Sequence, residues 1–345
     1  MIAFLLLIFS IGFVPISMIA YYRKIVLKFN RKGEMKVKEI LKKLPVSIVG
    51  LMLALAAIGN LVLSYGEIYR NIFGILSAII LVLVLIKIII FPKDFSEDLS
   101  NPVVASVFPA FSMGIMLLST YIKPFVPTLA FGMWVIGLIL HGVLIIYFTK
   151  KHLFNFTIKK VFPSWFIVYV GIAVGSVTAP VFNKSNVGQI LFWFGFISYF
   201  ALLPIVLKRV FIVKEIPKPA LPTLAIFAAP VALCLAGYMS SFQEKNMFIL
   251  WLLVALSQFS YLCVLLQLPK LLKLKFYPSY SAFTFPLVIS AISIKLTNGF
   301  LIKAERPITM LKYVVKFEEL IALVIVIYVL IRYISFLFAK TETAK

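Results

Sequence analysis

Long apolar runs dominate this chain and limit what it can fold into. Each has about 18 to 25 residues, the length of a helix that crosses a bilayer. Eleven candidate spans lie at roughly 2–21, 45–64, 70–91, 102–121, 125–148, 163–182, 187–207, 219–239, 247–268, 278–295 and 312–337. Of the 345 residues, 63% are hydrophobic and 13% are charged, and polar residues gather between the runs. The sequence therefore predicts an all-α polytopic membrane protein.

The basic residues follow the membrane rather than a nucleic acid. The net charge is +22, but the lysines and arginines form neither a single face nor an RNA-reading motif, so we expect no nucleic-acid partner. If the amino terminus is outside, about three quarters of the 34 basic residues fall on one side, which the positive-inside rule assigns to the cytosol. We therefore predict a multi-pass protein of the cell membrane, in contact with lipid, with its amino terminus outside and its carboxyl terminus cytosolic.

The first span differs from a cleaved signal peptide. No basic residue precedes its apolar run, no small-residue cleavage pattern follows it, and the next segment is densely basic. We expect an uncleaved anchor in the reverse orientation.

Proline recurs at a nearly fixed interval through the other ten spans. Five segments share it: "LPVSIVGLML", "NPVVASVFPA", "FPSWFIVYVG", "LPTLAIFAAP" and "YPSYSAFTFP". The prolines are Pro45, Pro102, Pro163, Pro222 and Pro278, which are 56 to 61 residues apart. A period of this length matches two spans and two short loops, so the chain is predicted to hold five copies of a helical hairpin. Each proline is expected to begin the first helix of its hairpin.

The first helices of the hairpins also carry residues that interrupt helices. These are Pro109, Gly171 with Gly175 and Pro180, Pro230, and Pro286. Inside hydrocarbon, a carbonyl freed by a proline needs another partner or a water-lined cavity. Pro109, Pro230 and Pro286 are expected to free the carbonyls of Ala105, Ile226 and Ala282. We predict that these five helices surround a wet path and that the five straighter helices face lipid. Alternatively, the small residues only permit tight helix packing.

Asp, Glu, Arg and Lys are missing from the centres of the predicted spans. Lys87 and Lys295 fall near span ends and are expected to reach the interface. Glu318 and Glu319 begin the last span and are expected to be interfacial. Because intramembrane charges mark ion-coupled pumps, this pattern favours a passive path. The amino termini of the five proline-bearing helices, which point toward the predicted cytosolic face, favour anions.

Enzyme chemistry has few candidate residues. His141 lies in a span and His152 in a basic loop, and neither has metal-ligand spacing with a cysteine. There is no Gly-rich phosphate loop and no nucleophile near a base. We expect neither catalysis nor a cofactor nor a metal site.

Nearly the whole chain, about residues 44–338, resembles the tellurite-resistance/dicarboxylate transporter family, which includes bacterial TehA-type proteins and the slow anion channels of plant guard cells. The likeness rests on "LPVSIVGLMLAL", "NPVVASVFPAFSMGIMLL", "PSWFIVYVGIAVGS", "LPTLAIFAAPVALCLAGYMS" and "SAFTFPLVIS", in this order. The resemblance implies ten helices in five hairpins, a quasi-fivefold inner pore ring, and a homotrimer with one pore in each protomer.

The same resemblance assigns roles to individual residues. It implies that Phe285 plugs the pore and that Gly50 lies close to that plug. With Gly50, the helix-interrupting residues Pro109, Gly171, Pro230 and Pro286 make up the predicted kink or pore-lining positions. Phe283 and Phe285 are about 200° apart on a helix, so only one can fill the pore, and the family match selects Phe285.

The predicted domains follow from the extent of the resemblance. Residues 1–43 form a transmembrane anchor and a basic cytosolic segment, which the bacterial family pattern lacks. Residues 44–338 form the channel domain, and residues 339–345 form a cytosolic tail.

Three functions remain open at this point. The first is a passive channel for small monovalent anions such as chloride or nitrate. The second is a carrier for malate or a similar dicarboxylate, with or without proton coupling, or a tellurite-resistance transporter. The third is a structural or sensor protein whose basic loops bind anionic lipid or a partner. The absence of an arginine from the middle of the predicted spans favours the channel, because arginine is the usual bidentate partner of carboxylates.

Overall fold

The computed structural model describes residues 38–339, and these residues divide into two units between Leu44 and Pro45. In the first unit, residues 38–43 are helical. The predicted anchor at 2–21 lies outside the described residues, as does most of the predicted tail. The domain boundaries stay predictions. All further description concerns the second unit.

Ten helical segments, α1 to α10, follow one another in the second unit. They are Val46–Tyr65, Glu67–Ile90, Pro102–Ile122, Pro127–Leu153, residues 165–182, Ser185–Val213, Lys218–Ser241, Met247–Leu272, Pro278–Lys303 and Thr309–Phe338. A short helix, Pro92–Asp98, links α2 to α3, and Ile158–Lys160 precedes α5. Within the described residues, nine of the ten segments are long and apolar enough to cross a membrane. The all-α polytopic prediction is confirmed.

Segment α5, in the span predicted at 163–182 with interrupting residues, is divided into four short pieces. It consists of Trp165–Tyr169, Gly171–Ala173, Val174–Thr178 and Ala179–Phe182, of which the second and fourth are 3₁₀ turns. Gly171 opens the second piece and Pro180 lies in the fourth. The breakers recognised in the sequence therefore divide the segment rather than only bend it.

Odd-numbered and even-numbered helices differ in burial. In the apolar stretches of α1, α3, α7 and α9, between 61% and 89% of the residues are buried, whereas in the even helices the share is 22% to 33%. Segment α5 is also mostly buried. The even helices expose large apolar side chains such as Ile72, Ile139, Ile197 and Phe259. This is the inner and outer division that the repeat predicts.

Each inner helix changes conformation part-way along. The junctions lie between Val46–Ile48 and Val49–Leu61, between Pro102–Val107 and Ala110–Ile122, between Lys218–Ala228 and Ala229–Ser241, and between Pro278–Phe283 and Thr284–Lys303. In α1, α7 and α9 the first part is a 3₁₀ helix. In a 3₁₀ helix each amide donates to the carbonyl three residues back, and in an α-helix to the carbonyl four residues back. The hydrogen-bond pattern therefore changes at each of these junctions.

The junctions explain how proline is tolerated in these helices. Pro230 and Pro286 lie in the first turns of the α-helical parts of α7 and α9, where amides have no partner within the helix anyway. The prediction that Pro230 frees the carbonyl of Ile226 is wrong, because the Ala229 amide donates to that carbonyl.

Side chains pair other backbone carbonyls of the inner helices. The hydroxyl of Ser290 donates to the Ala228 carbonyl at 3.3 Å and that of Ser176 to the Gly237 carbonyl at 3.2 Å. His141 reaches from α4 to the broken segment α5, where its Nε2 lies 3.1 Å from the Val168 carbonyl oxygen. Because a carbonyl only accepts, Nε2 carries the proton.

The charged residues near the helix ends are more buried than the sequence suggests. Lys87 is only 4% exposed and pairs at 3.4 Å with Asp98 of the short helix between α2 and α3, so protein atoms cover its side chain. That it reaches the interface stays a prediction. Glu318 and Glu319, expected at the interface, are 0% and 7% exposed. Helix α10 begins at Thr309, earlier than predicted, so both carboxylates lie well inside it.

We expect replacement of His141 by Leu to destabilise the protein. The imidazole lies 2.8 Å from the Ser112 hydroxyl as well as bonding to Val168, so the change leaves a buried carbonyl unpaired. A loss of about 1–3 kcal/mol is expected. It is measured as a lower thermal midpoint of the detergent-solubilised protein. Ile139→Leu, on the exposed face of the same helix, is the control. Equal midpoints for His141→Leu and wild type would contradict this account.

Candidate functional site

A cavity lies where the five inner helices change conformation. Every inner helix contributes to its wall, and no residue of an even helix is among those that line it. The wall contains Leu53 of α1, Met113 of α3, Phe166 of α5, Leu233 of α7 and Phe285 of α9, among others. Ser281 supplies the one polar side chain among the described lining residues, and none of them is charged.

Most of the positions singled out in the sequence meet at this cavity. Gly50, Gly171, Pro230, Phe285 and Pro286 line it. Pro109 does not, although Val107 and Ala110 on either side of it do. That these residues line a conducting pore stays a proposal.

Sequence reasoning missed other lining residues, such as Met113, Phe166 and Leu233. Each is an apolar residue in an apolar span, and no local signal separates it from its neighbours. Their position becomes visible only when the inner helices are placed around one axis.

Phe285 and Phe283 take different positions. Phe285 borders the cavity and is 7% exposed, whereas Phe283 is fully buried and packs against Tyr280, with ring centroids 4.9 Å apart. The two side chains point to different sides of α9, as their spacing requires. The structure thus provides two phenylalanines in nearly the same stretch of helix, only one of which faces the cavity.

Glycine at position 50 allows α1 and α9 to approach closely beside Phe285. A methyl group there would lie 2.9 Å from the Ser281 Oγ and 3.0 Å from its Cβ. The Thr284 hydroxyl also donates to the Gly50 carbonyl at 3.3 Å. These contacts leave no room for a larger residue unless the two helices separate.

Glycine at position 171 has a similar role between α5 and its neighbours. A methyl group there would lie 2.7 Å from the Met113 Sδ and 3.0 Å from the His141 Cε1. The His141 side chain, which bonds to the broken segment α5, therefore packs directly behind Gly171 of the cavity wall.

Backbone dipoles act at one entrance to the cavity. The inner helices begin at Val46, Pro102, Trp165, Lys218 and Pro278, on the side of the membrane that is predicted to be cytosolic. Each free helix amino terminus carries roughly half a positive charge, which favours an anion over a cation. At the junctions beside the wall, the amides of Val49, Ala229 and Thr284 already donate to carbonyls of the preceding turn.

The chemistry of the wall is restricted. It offers no nucleophile beyond the Ser281 hydroxyl and no titratable base. Within residues 38–339, no group of three or more His, Cys, Asp or Glu side chains is placed to hold a metal ion. Cys234 and Cys263 are both free thiols. What the arrangement can do is hold or pass a small ion.

Comparison with known proteins gives one clear result. A sequence model of the SLAC1 family, described as voltage-dependent anion channels, matches residues 43–334. That range covers the first four hairpins, the fifth up to residue 334, and the whole cavity wall. Comparison with curated proteins gives no match.

We expect Gly50→Ala to destabilise the packing of α1 against α9. The added methyl group overlaps Ser281, and overpacking of this kind costs about 1–3 kcal/mol. Gly142→Ala in α4 is the matched control, because a methyl group there meets nothing within 4 Å. Thermal midpoints of the two purified variants are compared. Similar midpoints would show that the contact between Gly50 and Ser281 is not tight in the protein.

Proposed function

Because the chain belongs to the voltage-dependent anion channel family, we propose that it is a passive channel for small monovalent anions. The family contains both channels and transporters, among them TehA-type and plant guard-cell proteins. Chloride and nitrate are the proposed ions. They would pass through the cavity enclosed by α1, α3, α5, α7 and α9 in each protomer. The observation that carries the proposal is the apolar, uncharged wall to which all five inner helices contribute.

The lack of charge on the wall supports passive conduction. A coupled pump needs a group that binds or releases a driving ion, and such groups are ionisable side chains in the path. A channel needs only weak attraction, so that an ion enters and also leaves. Five helix amino termini at the predicted cytosolic entrance of the cavity provide attraction of this kind without a fixed charge.

The same wall weakens the case for a dicarboxylate carrier. A C4-dicarboxylate such as malate presents two carboxylates, which proteins usually hold with arginine or with several donors. The described lining residues offer a single hydroxyl, that of Ser281. Backbone amides at helix ends can also bind carboxylates, so this function is the alternative that the flux measurement below decides.

We propose Phe285 as the gate of this channel. Its ring borders the cavity, and an apolar constriction can close a pore by excluding water. Pro286 follows it in the first turn of the α-helical part, where the chain changes from 3₁₀ to α conformation. A different rotamer of Phe285 would open the path without breaking a backbone hydrogen bond.

Assembly and orientation are proposed on the family likeness and on the charge distribution. The protein is taken to form a homotrimer in the cell membrane, with one pore in each protomer and the carboxyl terminus in the cytosol. The exposed apolar faces of the even helices suit contact with lipid or with neighbouring protomers.

Replacement of Phe285 by Ala is expected to raise anion conductance severalfold, because the side chain that narrows the cavity is removed. The measurement is anion current in planar bilayers or oocytes, normalised to surface expression. Phe283→Ala is the matched control, since that ring packs against Tyr280 away from the cavity. An unchanged current in Phe285→Ala, or an equal rise in Phe283→Ala, would rule out Phe285 as the gate.

Anion flux into liposomes tests the function itself. Chloride and nitrate are expected to move down their gradients, with no effect of an imposed proton gradient, because the wall holds no titratable group. Malate is expected to move much more slowly. Accumulation of malate against its gradient would replace the channel with a coupled carrier. Absence of flux for all three anions, including in Phe285→Ala, would favour a non-conducting role.

A further inference from the structure

The carboxyl ends of the five inner helices lie on the side of the membrane predicted to be external. Each such end carries roughly half a negative charge, because the last carbonyls of a helix have no amide partner within it. In the proposed channel, these ends surround the outer end of the path. Five partial negative charges there would repel the anions that the helix amino termini attract at the other entrance.

Basic side chains from other helices bond to the carboxyl ends of α1 and α3. Lys295 of α9 donates to the Leu61 carbonyl of α1 at 2.7 Å. The guanidinium of Arg70, in the first turns of α2, donates to the Thr120 carbonyl of α3 at 3.1 Å. Both carbonyls lie near the outer end of their helix.

The other inner helices have basic residues at the same end. Lys123, directly after α3, donates to the Val181 carbonyl in the last turn of α5. Lys245, in the loop after α7, donates to the carbonyl of Phe242, the residue that follows that helix. Helix α9 has Lys303 in its own last turn. A basic residue is therefore present at the carboxyl end of every inner helix.

The four bonded cations lie at a similar height beyond the cavity. In α1, α3 and α7, the bonded carbonyl is seven to nine residues past the last wall residue, which is Leu53, Met113 and Leu233 respectively. At 1.5 Å per residue, this is about 10–14 Å along the helix axis. Together these cations form an outer collar, which consists of Arg70, Lys123, Lys245 and Lys295.

Three cations of the outer collar have no counter-charge. Lys295 pairs with Glu319 at 2.6 Å, so its charge is balanced. Arg70, Lys123 and Lys245 belong to none of the ion pairs within residues 38–339. A full positive charge beside half a negative charge leaves a positive potential. These three residues therefore reverse the sign of the helix ends to which they bond.

Aromatic rings hold the three uncompensated cations in place. Each cation lies 4.2 to 5.7 Å from a ring centroid: Arg70 over Tyr121, Lys123 over Phe182 and Lys245 over Phe300. At this distance the face of the ring attracts the charge. The cations are thus positioned by two kinds of contact, a carbonyl oxygen and a ring.

Pairing of the carbonyls does not by itself require a charge. Elsewhere on the inner helices, neutral hydroxyls serve this purpose. Tyr121 donates to the Ala56 carbonyl at 2.6 Å, and Ser290 donates to the Ala228 carbonyl at 3.3 Å. What a lysine or arginine adds at the outer end is its positive charge.

We propose that Arg70, Lys123 and Lys245 are specificity-determining residues at the outer mouth of the path. They convert a ring of helix carboxyl ends that repels anions into one that attracts them. An anion then meets a positive potential at both ends of an uncharged cavity, and a cation meets a barrier at both. None of the three residues lines the cavity wall. The inference rests on the proposed function, because selectivity requires a conducting path.

Reversal potentials in planar bilayers under a potassium chloride gradient test the proposal, with purified full-length protein in the wild-type and Phe285→Ala forms. Lys123→Gln combined with Lys245→Gln removes two charges, while each amide group can still donate to the carbonyl. The ratio of chloride to potassium permeability is expected to fall severalfold. Lys312→Gln combined with Lys316→Gln is the matched control, because it removes two exposed charges from the outer helix α10 on the same side.

A charge-conserving pair separates charge from structure. Lys123→Arg combined with Lys245→Arg is expected to keep the wild-type permeability ratio. If the double glutamine variant does not fold, each single glutamine variant is measured and is expected to show a smaller fall.

Three results would overturn the inference while leaving the channel intact: an unchanged ratio in the glutamine variants, an equal fall in the control, or an equal fall in the arginine pair. Absence of anion current in every form, including Phe285→Ala, would overturn the proposed channel and this inference together.

Discussion

The satisfaction of backbone hydrogen bonds in an environment without water is the constraint on which this structure depends. An unbroken helix meets it within itself, but the inner helices of this protein are interrupted at the level of the cavity. The chain compensates with 3₁₀ turns and with side chains from neighbouring helices. Ser290 donates a hydrogen bond to the Ala228 carbonyl, and His141 donates one to the Val168 carbonyl. The interruptions are thus tied to specific polar residues, which explains why serine, threonine and histidine are buried among apolar helices.

The interruptions of the inner helices also determine where the cavity forms. Because all five inner helices change conformation at the same level, the five junctions surround one space. The amides of Val49, Ala229 and Thr284 donate to carbonyls of the preceding turn at these junctions. The same local feature therefore creates the space and the requirement for supporting hydrogen bonds, whereas the attraction of anions comes from the helix amino termini at the entrance.

The sequence predicted the parts of this design that depend on local signals. Proline and glycine at regular intervals predicted five hairpins and the division into inner and outer helices, because a breaker acts within one helical turn. It did not predict the position of Pro109 off the cavity wall, nor the burial of Glu318 and Glu319. Those depend on contacts between distant segments: Lys295 and Leu61, for example, are 234 residues apart. A charge near the end of an apolar run looks interfacial until its partner on another helix is known.

The anchoring of α9 restricts how the cavity can open. Beyond Phe285, about 15 Å along the helix axis at 1.5 Å per residue, Lys295 holds α9 to α1 and to Glu319 of α10. At its other end, the Ser47 hydroxyl donates to the Pro278 carbonyl at 3.0 Å. Tilting the whole helix would break contacts at both ends, whereas rotation of the Phe285 side chain breaks neither. A gate that moves one ring within a fixed frame is therefore the smaller change, and the 3₁₀-to-α junction beside it is the place where the backbone can adjust.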